Sequence, residues 1–278
     1  MLLALLALVC LALYTYFIGT RTLLEHAENF SFRRMTAAKL PGQDGFRFFY
    51  TTNRVPDDLS GAIDKRFSSE REALLKFGFF DTRVEPTLGL GLIIDSSAWF
   101  LNEEINVLDV QALQQKDFVT QLREQVEASP GRSLLVVVHG FREAYPSALR
   151  KTAFLAHVLD IDTPVLVFDW PGNQGSSLRG YRRARGVATA SGAELATMLE
   201  LIIGEVAPER LWLMANSMGA QVVVNAFHQL YRDTDFVDAE TEIENVVLTA
   251  ADVDRSEFNE QLKREIKVLA DNITLYVT

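Results

Sequence analysis

One serine at the junction of a buried strand and a helix constrains this chain more than any other feature. Leu211–Ala215 is a short apolar run of the kind that forms an inner strand, and Ala220–Phe227 alternates small and apolar residues as a helix does. Between them stand Asn216, Ser217, Met218 and Gly219, with small residues, Ala215 and Gly219, two positions to either side of the serine. A strand that turns this abruptly into a helix needs small neighbours, because larger side chains would collide with the strand and helix alongside. The context is that of a nucleophile elbow, with Ala215 where glycine is commonest. Serine is also a favoured helix N-cap, so the plainer reading is a residue that merely closes a helix. The flanking strand, the helix and a second motif upstream favour the elbow.

That second motif is Ser133–Phe141, SLLVVVHGF. Its consecutive apolar residues mark a strand buried on both faces of a parallel sheet. At its carboxyl end Gly140 permits close backbone approach, and the Phe141 N–H can then face a developing oxyanion together with the N–H of Met218. One such preorganised donor contributes about 3–4 kcal/mol to an acyl-transfer transition state. His139 lies in the turn itself, where it supports the loop by hydrogen bonding and is not assigned as a base.

The rest of the chain supplies the frame. Strands are expected at 46–53, 77–84, 134–138, 165–170, 211–216, 244–250 and 272–278, and helices at 118–128, 144–159, 181–206, 219 onward and 255–269. Residues 64–76 read as a charged stretch, and the glycines of Leu88–Leu92 as backbone turns, since no βα unit surrounds them to make a phosphate site. Strands alternating with helices predict an α/β, doubly wound, mostly parallel sheet, whose ligands bind at the carboxyl ends of the strands. His139–Phe141, Asp169–Trp170 and Ser217 all fall there. With 278 residues, 48% of them apolar, there is material for one large domain at 46–278, preceded by a linker at 21–45. A net charge of −10 and the lack of a basic stripe with interleaved aromatics argue against nucleic acid. Cys10 is the single cysteine, so no internal disulfide forms, and no Cys/His spacing calls for a metal. No cofactor is implied, and nothing in the pattern sets the oligomeric state.

Leu2–Gly19 carries no charge and approaches the roughly 20 residues of a membrane helix. No basic residue precedes it and no clear cleavage site follows, which predicts an uncleaved transmembrane anchor at 1–20. Arg21, Arg33 and Arg34 downstream would hold the following domain in the cytoplasm by the positive-inside rule, while basic residues upstream of a mis-called start would reverse that, so the side of the bacterial envelope stays open.

Taken together, Phe49–Arg54 (FYTTNR), Val138–Phe141 (VHGF), Phe168–Gly172 (FDWPG), Asn216–Gly219 (NSMG), Leu248–Asp254 (LTAADVD) and Ile273–Val277 (ITLYV) resemble the α/β-hydrolase superfamily. More narrowly, they resemble the uncharacterised bacterial hydrolases grouped as domain of unknown function nine hundred. The resemblance covers roughly 46–278 and implies an esterase- or lipase-like serine hydrolase. It departs at Asn216, where many relatives have histidine. It departs more deeply in the triad. The superfamily order is nucleophile, acid, histidine, and the resemblance puts the last two beyond Thr278. The only histidine after Ser217 is His228, eleven residues along the helix and roughly 16 Å away at 1.5 Å per residue. The expectation is therefore a C-terminally incomplete domain, inactive or nearly so by itself.

Asp252 is a candidate substitute acid, although bonding to loop N–H groups suits it better, with Asp254 capping the helix that follows. Arg179, Arg182, Arg183 and Arg185 form a basic cluster at a helix start, either a solvated face or a meeting point for an anionic substrate or lipid head group. The expected activity is cleavage of a small-molecule or lipid ester by Ser217. Phe141 and Met218 supply the oxyanion donors, Gly140 and Gly219 the turn geometry, and residues 2–19 the membrane attachment. The competing expectation is an anchored, catalytically inactive scaffold that uses the same cleft to bind a partner.

Overall fold

Apolar runs separated by turn residues become the eight strands of one sheet in a computed structural model of the chain. It describes residues 37–41, 45–84, 105–159, 161–232, 243–254, 258 and 263–276. In chain order the strands are β1 (Phe46–Pro56), β2 (Phe67–Val84), β3 (Ile105–Leu113), β4 (Ser133–Val138), β5 (Val165–Asp169), β6 (Arg210–Asn216), β7 (Ile243–Thr249) and β8 (Ala270–Tyr276). They lie in the order β3-β2-β1-β5-β4-β6-β7-β8. From β1 to β8 across the sheet all pairings are parallel, while β2 and β3 add an antiparallel edge. The fold is α/β with a mostly parallel mixed sheet.

Every residue of β4 and β5 is buried, as a strand covered on both faces requires. Helices α1 (Gln115–Ala128), α3 (Leu178–Leu201) and α4 (Gly219–Arg232) cover one face, and α2 (Tyr145–Leu159) covers the other. A shorter α5 (Lys263–Leu269) packs against α4. Val222, Val223, Phe227 and Leu230 of α4 are fully buried, each stabilising the fold by roughly 1.5–3 kcal/mol. Helices α3 and α4 approach so closely that a Cβ on Gly192 would lie 2.4 Å from the Asn225 Cβ.

Two expectations need correction. The charged stretch 64–76 is mostly strand, because β2 begins at Phe67 and pairs antiparallel with β1, Phe67 opposite Pro56. Its charges fit because β3 pairs β2 only from Phe77 onward, which leaves the charged half of β2 as an edge. Its side chains also find partners there, Arg71 with Glu194 and Lys76 with Glu72. Ile105–Leu113, to which no element was assigned, is the outer edge strand β3. Leu88–Leu92, most of the helix expected at 255–269, and the apolar Leu2–Gly19 lie outside the described residues. The described helix long and apolar enough to cross a membrane is not N-terminal. It is Leu178–Val206, with mean hydropathy 1.3, and half of its apolar window is buried inside the fold, as in a core helix.

His157 is 2% exposed on α2 and meets Phe46 and Phe48 edge-on, with ring centroids 4.8 and 6.1 Å away. Burial disfavours its charged form and lowers its pKa from 6.5 to about 4. Below pH 6.5 the unfolded chain takes up a proton that the folded chain refuses. Stability present above pH 6.5 is therefore lost as pH falls toward 4, by about 3 kcal/mol from this residue. Urea unfolding of the protein and of His157→Leu at pH 7 and pH 4 should show a shallower acid loss in the variant.

Candidate active site

The chain reverses direction across the sheet at β4, running from β4 to β5 on one side and then back to β6 on the other. The crevice at the carboxyl ends of β4 and β6 is where such sheets bind ligands. Ser217 follows β6 there with φ 51°, in the left-handed region that costs a non-glycine residue about 1–2 kcal/mol. Surrounding hydrogen bonds hold it in place. The Ser217 N–H donates to Thr249 O (2.9 Å), and Ser217 O accepts from the N–H groups of Ala220 and Asp252 (both 3.1 Å). Strain over-determined in this way is characteristic of functional positions.

Two glycines let the ends of β4 and β6 meet. A Cβ on Gly219 would stand 2.5 Å from His139 O and 2.7 Å from Val138 O, so no side chain fits against that backbone. A Cβ on Gly140 would lie 3.1 Å from Asn216 O and 3.2 Å from the Ser217 Cβ, which places the β4 turn directly against the serine. Gly140 and Ser217, the residues before Phe141 and Met218, are therefore neighbours. Among the described residues neither the Phe141 N–H nor the Met218 N–H donates a hydrogen bond within the protein.

A buried polar network supports this turn. Asp169, at the end of β5, is fully buried and accepts from Thr52 Oγ1 (2.7 Å), Arg54 Nε (2.7 Å) and Arg54 Nη2 (3.1 Å). Arg54, also fully buried, donates further to Ser68 O (3.2 Å), Asn173 Oδ1 (2.6 Å), Glu143 O (2.9 Å) and Trp170 O (2.7 Å). Burial alone would raise the Asp169 pKa. The Arg54 charge and the His139 contact outweigh it and hold the carboxyl below its ordinary value. His139 stacks on Trp170, with planes 4° apart and centroids 5.5 Å apart. Its Nδ1 lies 3.0 Å from Gly140 O, and its Nε2 lies 3.1 Å from both Asp169 Oδ1 and the Trp170 backbone nitrogen. Both ring nitrogens are thus occupied in holding the turn.

Asp252 reaches the site through its backbone, and its carboxylate is engaged by a side chain of α3. Oδ2 accepts from the Tyr181 hydroxyl at 2.7 Å rather than from loop N–H groups. That bond, reinforced by burial, raises the Tyr181 pKa. The Tyr181 ring meets Phe141 edge-on, with centroids 5.5 Å apart. His228 pairs with the buried Glu265 of α5 at 2.9 Å, and His157 is buried on α2. His26 is outside the described residues. None of the described histidines is hydrogen-bonded to Ser217. On the α2 face, a cavity of about 470 Å³ opens between Gly140, Asn216 and Thr249 above and Val137, Met214, Phe154 and Leu155 below. The described residues contain no group of His, Cys, Asp and Glu that could hold a metal ion.

Sequence reasoning brought Ser217, Gly140, Phe141, Met218 and Gly219 to one point, but it gave Arg54 no role. The signal was there: an arginine inside an aromatic, β-branched strand must find a partner for its charge.

A mostly parallel sheet with a strained serine turn after one inner strand, faced by a glycine turn after its neighbour, is the architecture of an alpha/beta hydrolase. Residues 114–278, more than half of the chain, match the family described as alpha/beta hydrolase of unknown function (DUF900), and the chain belongs to that family. The match is narrower than the resemblance over 46–278, and β1 to β3 lie outside it. No curated protein matches the chain.

Two sets of variants test this geometry by chemical denaturation. Gly219→Ala, which forces a Cβ into the backbone of β4, should cost about 1–3 kcal/mol. Gly186→Ala, in α3 with nothing within 4 Å of the new Cβ, should be neutral or stabilise by up to about 1 kcal/mol. Arg54→Met should cost about 3–5 kcal/mol by stranding the buried Asp169 charge, and the double variant Arg54→Met/Asp169→Leu clearly less than the two single costs added.

Proposed function

We propose that this chain is a serine hydrolase of the esterase or lipase type, acting on a small-molecule or lipid ester. The observation that carries the reading is the strained Ser217 beside two N–H groups, of Phe141 and Met218, with no partner among the described residues. Ser217 Oγ attacks the ester carbonyl, and the carbonyl oxygen takes up negative charge against those two N–H groups. Collapse of the tetrahedral intermediate expels the alcohol and leaves an acyl-serine, which water then hydrolyses. Gly140 and Gly219 hold the donors in place before the reaction, so no reorganisation is needed as charge develops. Residues 2–19 hold the protein at a membrane in this reading.

The Ser217 proton needs a base, and a serine without one is a poor nucleophile at neutral pH. His139 is engaged with Gly140, Asp169 and Trp170, and His228 with Glu265. That engagement favours a second reading for this chain by itself, a hydrolase-like module that binds in the cleft without turnover.

Labelling with a fluorophosphonate serine probe separates the two. It should be run on this protein with a Ser217→Ala control. Labelling at Ser217 that the alanine variant lacks supports the hydrolase. Ser217-dependent turnover of a small-molecule ester also supports it and points to an unconventional base among Asp252 and its neighbours. No labelling overturns it in favour of the binding module.

A further inference from the structure

The start of α3 is the basic cluster for which the fold itself gives no use. From Trp170 to Ala193 the sequence holds Arg179, Arg182, Arg183 and Arg185 and not one carboxylate, in a protein of net charge −10. Among the described residues none of these arginines forms an ion pair, nor does Arg142, one residue past Phe141. The first turn of α3 has no acidic residue and holds Arg179, which the positive end of the helix dipole disfavours. The clustered like charges of the four arginines repel one another, and a bound anion relieves that repulsion.

Helical spacing decides which arginines face the cleft. Leu178, Tyr181, Arg182 and Arg185 are spaced i, i+3, i+4 and i+7 and share one face of α3. Tyr181 on that stripe touches both Phe141 and Asp252, whose own N–H donates to Ser217 O. The half-buried Arg185 has its Nη2 3.5 Å from Gln221 Oε1, and the Gln221 N–H donates to Met218 O at 3.0 Å. The guanidinium of Arg185 thus meets the side chain of Gln221, three residues along the chain from Met218. Arg182 is exposed beside it, and Leu178, 66% exposed, extends the stripe outward. Of the nearby carboxylates, Glu143 is paired with Lys151, and Asp252, which accepts from the neutral Tyr181 hydroxyl, leaves a single negative charge against the several arginines.

We propose that the Ser217 cleft receives an ester bearing an anionic group, phosphate or carboxylate, which Arg185 and Arg182 hold while the ester carbonyl meets Ser217. The inference rests on the hydrolase reading for the ester, but not for the anion. Arg142 adds positive charge from the β4–α2 turn, and Leu178 offers apolar contact to the remainder of the substrate.

Calorimetry with glycerol 3-phosphate, and with glycerol as the uncharged control, reads the anion site without any chemistry. The protein, R182Q, R182Q/R185Q and R132Q are compared, Arg132 being an exposed arginine paired with Glu209 at the amino ends of β4 and β6. The phosphate ester should bind, weakening about threefold in the exposed R182Q and about tenfold or more in R182Q/R185Q, with R132Q unchanged. R182Q, solvent-exposed, keeps the test readable if the double variant folds poorly. Binding only to phosphatidylcholine vesicles that contain phosphatidic acid, lost in R182Q/R185Q, also supports the site and assigns its anion to a lipid. Equal binding by all four proteins, or no preference for either anionic probe over its neutral control, overturns it. Ser217→Ala should bind the phosphate ester normally, so failure of serine labelling and failure of the anion site are read separately.

Discussion

Arg54 and Asp169 are both fully buried, and the loops around Ser217 take their positions from the contacts of this pair. An unpaired charge in that interior would be untenable, and breaking such a pair costs about 3–5 kcal/mol because one ion is left stranded. The guanidinium also donates to carbonyl oxygens of Ser68, Glu143 and Trp170 and to the Asn173 side chain, so a single group ties β1 and β2 to both loops at the carboxyl ends of β4 and β5. The family match begins at residue 114, yet Asp169, inside it, is neutralised by Arg54, outside it. The N-terminal hairpin is therefore part of the same folding unit as the family region. β1 pairs directly with β5, and removing it would expose the charge at the end of that strand.

On this foundation the serine turn is strained and held. Left-handed backbone at Ser217, a side-chain-free Gly219 against the β4 carbonyls, and Gly140 against the serine form one mutually locked arrangement. Trp170 closes it from behind, stacking on His139 and donating its indole N–H to His139 O at 2.8 Å. Rigidity of this kind is what oxyanion stabilisation requires, because donors that must reorganise as charge appears lose most of their advantage.

Helix α3 shows one element meeting two demands. Its small residues, Ala184, Ala188, Ser191 and Gly192 among them, are buried and let it approach the sheet and α4 closely. The same small, apolar composition gives it the hydropathy of a membrane span, which its burial explains without a bilayer. Its first turns break that pattern with four arginines. Packing accounts for the body of the helix but not for the charge of its tip.

The sequence by itself determined the alternation of strands and helices from Ser133 to Leu230, the serine turn and the glycine turn facing it, because these rest on local rules. Apolar runs bury, helical spacing selects a face, and a sharp turn demands small residues. It did not disclose β3 or the charged half of β2, because edge strands take their conformation from a neighbour rather than from their own hydrophobic pattern. Nor did it reveal that Arg54, Asp169 and His139 form one network, since they come from β1, β5 and the turn after β4. Only the stacking of those strands in the order β1-β5-β4 brings them together. The same holds for Asp252, whose partner Tyr181 lies 71 residues away on α3. Charges and polar groups settle by satisfying one another across the fold, and that pairing exists only once the tertiary structure has formed.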